Sequence, residues 1–206
     1  MTFVETLQNL KWADYLYCLL FDNERLSVML EEGKPFLPAT IVFPVIHALF
    51  VILSGSVLNN DGSLFFIKLS YGFLSLSVLM VLVNIFVTCL SSFTLSGMKI
   101  RPDMMRIFSI INLSYFPRLF VLPITVFLVS IHPENSSPGL WSTLSSSVLT
   151  VYSIIITVKT VCFLHKTTMM KSFLSVVMSL FFAICALLFV AVCASIIMFY
   201  ILSQNM

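Results

Sequence analysis

Charge is the scarcest commodity in this chain. Of its 206 residues, eleven are Lys or Arg and nine are Asp or Glu, which is 10% charged, where a soluble domain carries about 25%. So few charges cannot coat a globule of this mass in water. With 59% apolar residues, the chain is expected to lie in a membrane. The basic residues form no block: the net charge of +2 is spread over the N-terminal segment and the loops. A nucleic-acid binder concentrates base on one solvated face, so nucleic acid is excluded as a partner. The five cysteines include no CxxC pair and no metal-ligand spacing. HExxH, GxSxG and paired intramembrane aspartates are also missing. No catalytic residue, cofactor or metal is therefore expected, and the chain reads as a non-enzyme. All nine carboxylates lie outside the long apolar runs. Proton and cation pathways usually place carboxylates at depth, which counts against a proton- or sodium-coupled transporter.

What is present is five apolar runs, at 36–58, 64–90, 107–131, 140–164 and 173–202. Each reaches the roughly 17–25 residues a spanning helix needs, and the longer ones can tilt. The expected fold is all-α, a bundle of five transmembrane helices over 35–206 preceded by a short amphipathic segment at 1–34. That segment holds nine of the twenty charges. Phe3, Leu7 and Leu10 give it a helical stripe, and Trp12, Tyr15 and Tyr17 supply rings suited to a membrane interface. A second short helix is predicted at 23–32, capped by Asp22 or Asn23. The segment is expected to hug the interface.

The connections alternate in character. Asn59, Asn60, Asp61 and Gly62 form a turn without base, while 91–106 carries Lys99, Arg101 and Arg106. The connection at 132–139 has no Lys or Arg, and 165–171 holds Lys166 and Lys171. With Lys11, Arg25 and Lys34, eight basic residues collect on one side. Basic residues in short loops stay cytoplasmic, so the N-terminus is expected inside and the C-terminus outside. Lys99, Arg101, Arg106, Lys166 and Lys171 then become candidate contacts for a protein partner or for lipid headgroups.

Arg118 invites an intramembrane role. It lies about 16–18 Å along a helix starting at 107, close to mid-bilayer, where an Arg costs about 2.5–3.5 kcal/mol on insertion scales. Sixteen Leu, Ile, Phe and Val residues in the same run outweigh it. Three readings stay open: a span broken near Pro117 with its first half partly interfacial, hydrogen bonds to carbonyls that Pro117 and Pro123 leave unpaired, or an anionic lipid or partner carboxylate. His47, Asn84 and Asn112 are expected to bond across helices. Lys68 and Lys159 can snorkel to the interface. Ser54, Ser56, Ser70, Ser75 and Ser77 read as small packing residues. Cys89, Cys162, Cys185 and Cys193 read as buried thiols acting as small hydrophobes.

The stretches 22–35 (DNERLSVMLEEGKP), 97–117 (GMKIRPDMMRIFSIINLSYFP) and 165–173 (HKTTMMKSF) make the chain resemble the Yip-domain membrane proteins over nearly its whole length. It departs from them in having Asp22-Asn23 where Asp-Pro is frequent, and Tyr152 where a fourth-span Trp is frequent. The long N-terminal region that binds Rab GTPases in eukaryotic members has no counterpart ahead of 36, so Rab binding is not carried over. The resemblance implies the compact bacterial type, in the cytoplasmic membrane (or an endomembrane in a eukaryote). By this reading the chain is a membrane adaptor or accessory subunit contacting lipids and a membrane or cytosolic protein. The alternative is a small transporter or channel for an anion or small solute, with Pro44, Pro117 and Pro123 marking broken helices around Arg118 and His47.

Overall fold

A computed structural model describes residues 12–32, 40–59, 65–131 and 138–204. The described residues are helical throughout, with no strand among them. In chain order the helices are α1 (Trp12–Phe21), α2 (Asn23–Glu32), α3 (Val42–Asn59), α4 (Phe65–Gly97), α5 (Met104–Leu113), α6 (Val121–Ile131), α7 (Pro138–Leu164) and α8 (Met169–Gln204). A 3₁₀ turn, Pro117–Phe120, joins α5 to α6. Four stretches are long and apolar enough to cross a membrane: Tyr71–Gly97, Met104–Ile131, Gly139–Leu164 and Met169–Ile196. The chain is thus a helical, membrane-embedded protein, and α3 is a fifth, shorter apolar helix.

The bundle is built inside out relative to a soluble domain. Phe93, Tyr71, Phe189 and Met170 are all at least 70% exposed, while the interior is studded with Ser, Thr and Asn. Lipid tails are as apolar as leucine, so helices associate through close packing and hydrogen bonds rather than through hydrophobic sorting. The contact between α4 and α8 shows this. Ser172, Ser175, Ser179 and Ala183 form one buried stripe of α8 at helical spacing, facing α4. The Ser175 hydroxyl donates to the carbonyl of Ser91 at 3.0 Å, which requires the backbones to approach closely.

Helix α2 begins at Asn23 as the sequence predicts, and Asp22 caps it by accepting from the Arg25 N–H at 3.0 Å. Helices α1 and α2 pack on each other as a hairpin, and α2 lies along α7. Thr160 donates to Asn23 Oδ1 at 3.1 Å, and the Tyr152 hydroxyl donates to the Leu20 carbonyl at 3.2 Å. Tyr152 lies twelve residues before the end of α7, so the hairpin reaches about 18 Å along that helix. Cys18, Leu19, Leu26 and Leu30 are essentially fully buried. Tyr15 also turns inward, its hydroxyl donating to the Met29 carbonyl, and of the expected interfacial tyrosines only Tyr17 is exposed. Phe3, Leu7 and Leu10 lie outside the described residues, as does the side chain of Lys68.

Other expectations are corrected. Helix α4 continues to Gly97 instead of ending near 90, because Ser91, Ser92 and Leu95 still have bundle to bury against. Helix α8 starts at Met169, so Lys171 sits in its first turn. Pro44 and Pro123 break nothing: each is the third residue of its helix, where the missing N–H has no intrahelical partner to lose. Cys89 and Cys185 are exposed on the bundle surface, and only Cys18 is buried. Ser54 and Ser77 are buried as expected, whereas Ser75 is exposed.

Ser179 is fully buried at the α4–α8 contact and donates back to Ser175 at 2.6 Å. Ser179→Leu overpacks this contact and should cost about 1–3 kcal/mol, read as a lowered midpoint in detergent-induced unfolding. Ser75→Leu, on the exposed side of α4, should leave the midpoint unchanged.

Candidate functional site

Two polar constellations emerge, one within the bundle and one at the end where α4 and α7 terminate. The first depends on the interruption at Pro117. Proline has no N–H and obstructs the carbonyl one turn earlier, so α5 stops at Leu113 and the chain winds tighter. The backbone there stays satisfied: Ser114 bonds Ile110, Tyr115 bonds Asn112, Phe116 bonds Leu113, and Arg118 bonds Tyr115, all at 2.9–3.2 Å. The break re-aims side chains without orphaning these groups.

A relay of hydrogen bonds gathers around it. The Tyr115 hydroxyl donates to Asn84 Oδ1 at 3.1 Å, Asn84 Nδ2 donates to Asn112 Oδ1 at 2.8 Å, and Asn112 Nδ2 donates to Thr40 Oγ1 at 3.3 Å. Asn84 and Asn112 thus bond across helices as expected. His47 does so less fully: its ring lies 5.3 Å from that of Tyr115, and its Nδ1 is buried without a hydrogen-bond partner. The Arg118 guanidinium sits over the Tyr115 ring, 4.7 Å from the centroid, a cation–π contact that gains strength where water is excluded. Arg118 Nε is buried and unpartnered, and Arg118 forms no ion pair among the described residues. Beside it lies a cavity of about 70 Å³, lined by Asn84, Ser114, Tyr115, Arg118 and Thr157 among apolar neighbours. Water occupies about 30 Å³ per molecule in the liquid, so this space suits two waters or one small anion. Sequence reasoning found Arg118, Pro117, Asn84 and Asn112. It missed Tyr115 and Thr40, whose roles depend on the local turn geometry.

The second constellation assembles four of the five candidate basic contacts. Lys99, Arg101, Arg106 and Lys166 line one cleft of about 420 Å³ together with Ile100, Asp103, Leu164 and His165. Lys171, exposed on α8, does not line it. Asp103 is committed to Arg106: its carboxylate accepts the Arg106 N–H at 3.2 Å, capping α5, and pairs with Arg106 Nε at 3.0 Å. Burial pushes the His165 imidazole below its usual range, nearby Asp103 pulling it back up and Arg106 pushing it further down. Its Nε2 is buried without a partner.

The cleft is made by two copies of one helix ending. At the end of α4, Ile100 N–H bonds the Leu95 carbonyl and Lys99 N–H bonds that of Ser96; at the end of α7, Thr167 bonds Cys162 and Lys166 bonds Phe163. This is the paired Schellman arrangement, whose turning residue is usually glycine because it must be left-handed. Here lysine occupies both turning positions, with φ of 60° at Lys99 and 46° at Lys166. A left-handed non-glycine costs roughly 1–2 kcal/mol. The lysine charges recover part of this against the negative helix ends.

A larger groove of about 520 Å³ lies between α3, α6 and α7 and is rich in Ser and Thr. Its hydroxyls are largely spent: Ser54, Thr143, Ser147 and Thr150 donate to their own helices, and Ser142 pairs with Thr125. Such a surface has little left with which to recognise a polar ligand.

No family model matches the chain, and no curated protein or solved structure matches it.

Asn112 is the centre of the relay, and Asn112→Ala leaves the Asn84 amide without its acceptor. The expected loss is about 1–3 kcal/mol of bundle stability, measured by unfolding in mixed micelles. Asn112→Gln, which keeps the chemistry but lengthens the arm, should recover less than half of it.

Proposed function

We propose that the chain is a non-enzymatic, five-span membrane protein of Yip-domain type. It acts as an adaptor or accessory subunit whose basic end faces the cytosol and docks a partner at the membrane surface. The observation that carries this reading is the convergence of Lys99, Arg101, Arg106 and Lys166 on one cleft. Helix α7, whose C-terminal turn leads into Lys166, also carries α2 along its side. The other two connections contain no Lys or Arg, so recognition chemistry is concentrated at one end. Helix α3, with 18 residues and about 27 Å long, is the first of the five spans in this reading; an odd count sets the termini on opposite sides, and the basic loops favour the N-terminus inside and the C-terminus outside.

The test is purification of the tagged protein from native membranes in mild detergent, with identification of what co-elutes. A stoichiometric partner should appear and be lost when Lys99, Arg101 and Arg106 are changed together to Gln. A protein that elutes alone, with reporters at 34 and at the C-terminus on the same side of the membrane, would remove both the adaptor and its orientation.

The cavity beside Arg118 favours a second reading, an anion route through the bundle. In the adaptor reading, liposomes containing the protein pass iodide no faster than empty ones. A flux that Arg118→Gln abolishes would establish the channel instead.

A further inference from the structure

Lysine at both left-handed helix ends is the least expected feature of the basic cleft. The backbone there favours glycine, and the chain has a glycine only two positions away, at Gly97, without using it for the turn. Two such positions lining the same cleft indicate that the charges are wanted there, since strained backbone conformations concentrate where a site uses them.

The electrostatics define what fits. Among the described residues, Asp103 is the one acid lining the cleft, and it is bound to Arg106. Lys99, Arg101 and Lys166 have no ion pair among the described residues. His165 adds a buried Nε2 that lacks a partner. Three cations without a carboxylate partner among the described residues and an unpartnered imidazole nitrogen, around about 420 Å³, suit a compact oxyanion with several acceptor oxygens. Phosphate has that shape and charge, and both Arg and Lys bind it well. The cleft opens where two long apolar helices, α4 and α7, end, and the end of a spanning helix meets the headgroup layer.

We infer that this cleft is a phosphate-binding site that holds the phosphate of an anionic phospholipid headgroup through Lys99, Arg101 and Lys166, with Arg106 and His165 completing its wall. The inference supplies a ligand for the docking end of the adaptor and rests on that reading for its place at the cytosolic surface. Binding in detergent needs no protein partner, so a missing partner and a missing lipid are separate results.

The experiment uses the full chain in a neutral detergent, titrated with dioctanoyl phosphatidic acid, dioctanoyl phosphatidylcholine and inorganic phosphate. Phosphatidic acid should bind one equivalent at least tenfold more tightly than phosphatidylcholine. The double variant Lys99→Gly and Lys166→Gly should lose that binding at least tenfold while its unliganded melting temperature stays level or rises, because glycine suits both turns. Lys171→Gln, outside the cleft, should bind as the parent does. If inorganic phosphate binds as tightly and with the same dependence on Lys99 and Lys166, the phosphate site stands and its source is soluble. Equal binding of the two lipids overturns the inference. So does a Lys171→Gln loss matching that of the double variant, or a double variant whose unliganded melting temperature falls.

Discussion

Inside a bilayer no water waits to satisfy a freed carbonyl or amide, so a helix that breaks there must settle its own hydrogen bonds. The third long apolar stretch meets that constraint between Leu113 and Val121 by tightening into i−3 bonds. The rest of the interior is arranged around this solution. Because the chain winds tighter here while keeping its backbone bonds, Tyr115 and Arg118 turn inward. The interior then supplies an aromatic face for the guanidinium and an Asn84–Asn112 pair for the phenol. The Arg118 charge is tolerable within the bundle because it lies on a ring and beside a small cavity that Asn84, Ser114 and Thr157 help to line.

Much of the architecture was legible because in a membrane length and hydropathy nearly determine the element. The long apolar runs, helix 23–32 and its Asp22 cap follow from composition and local chemistry. Proline was harder to read. Pro44, Pro117 and Pro123 look alike in the sequence, yet only Pro117 closely follows the end of an α-helix, at Leu113, and that position depends on where the helix stops. The ends of α4 and α8 were missed because Ser, Thr and Lys read as loop residues, whereas Ser91, Ser92 and Ser172 are buried in the bundle and Thr94 bonds its own helix.

The candidate basic residues were legible as a set, since positive charges outside apolar runs stand out. Their grouping was not. Lys171 is separated from Lys166 by five positions yet lies outside the cleft, because a new helix has begun between them. Lys99 and Lys166, 67 positions apart in the chain, meet because α4 and α7 end on the same turn at the same level. His165 drew no attention in the sequence; its position as the last residue before a left-handed lysine is what buries its imidazole edge.

The lateral docking of the N-terminal hairpin has a consequence for the order of events during synthesis. Its two polar anchors on α7 bridge 132 and 137 positions. At about 5–20 residues per second, the hairpin is complete many seconds before its binding surface exists. Until then Leu19, Leu26 and Leu30 have no bundle to bury against and must be sheltered by the membrane surface or by a chaperone. These early helices are among the last to find their place, so a ribosome stalled before α7 would leave an inserted but open bundle with its apolar hairpin loose.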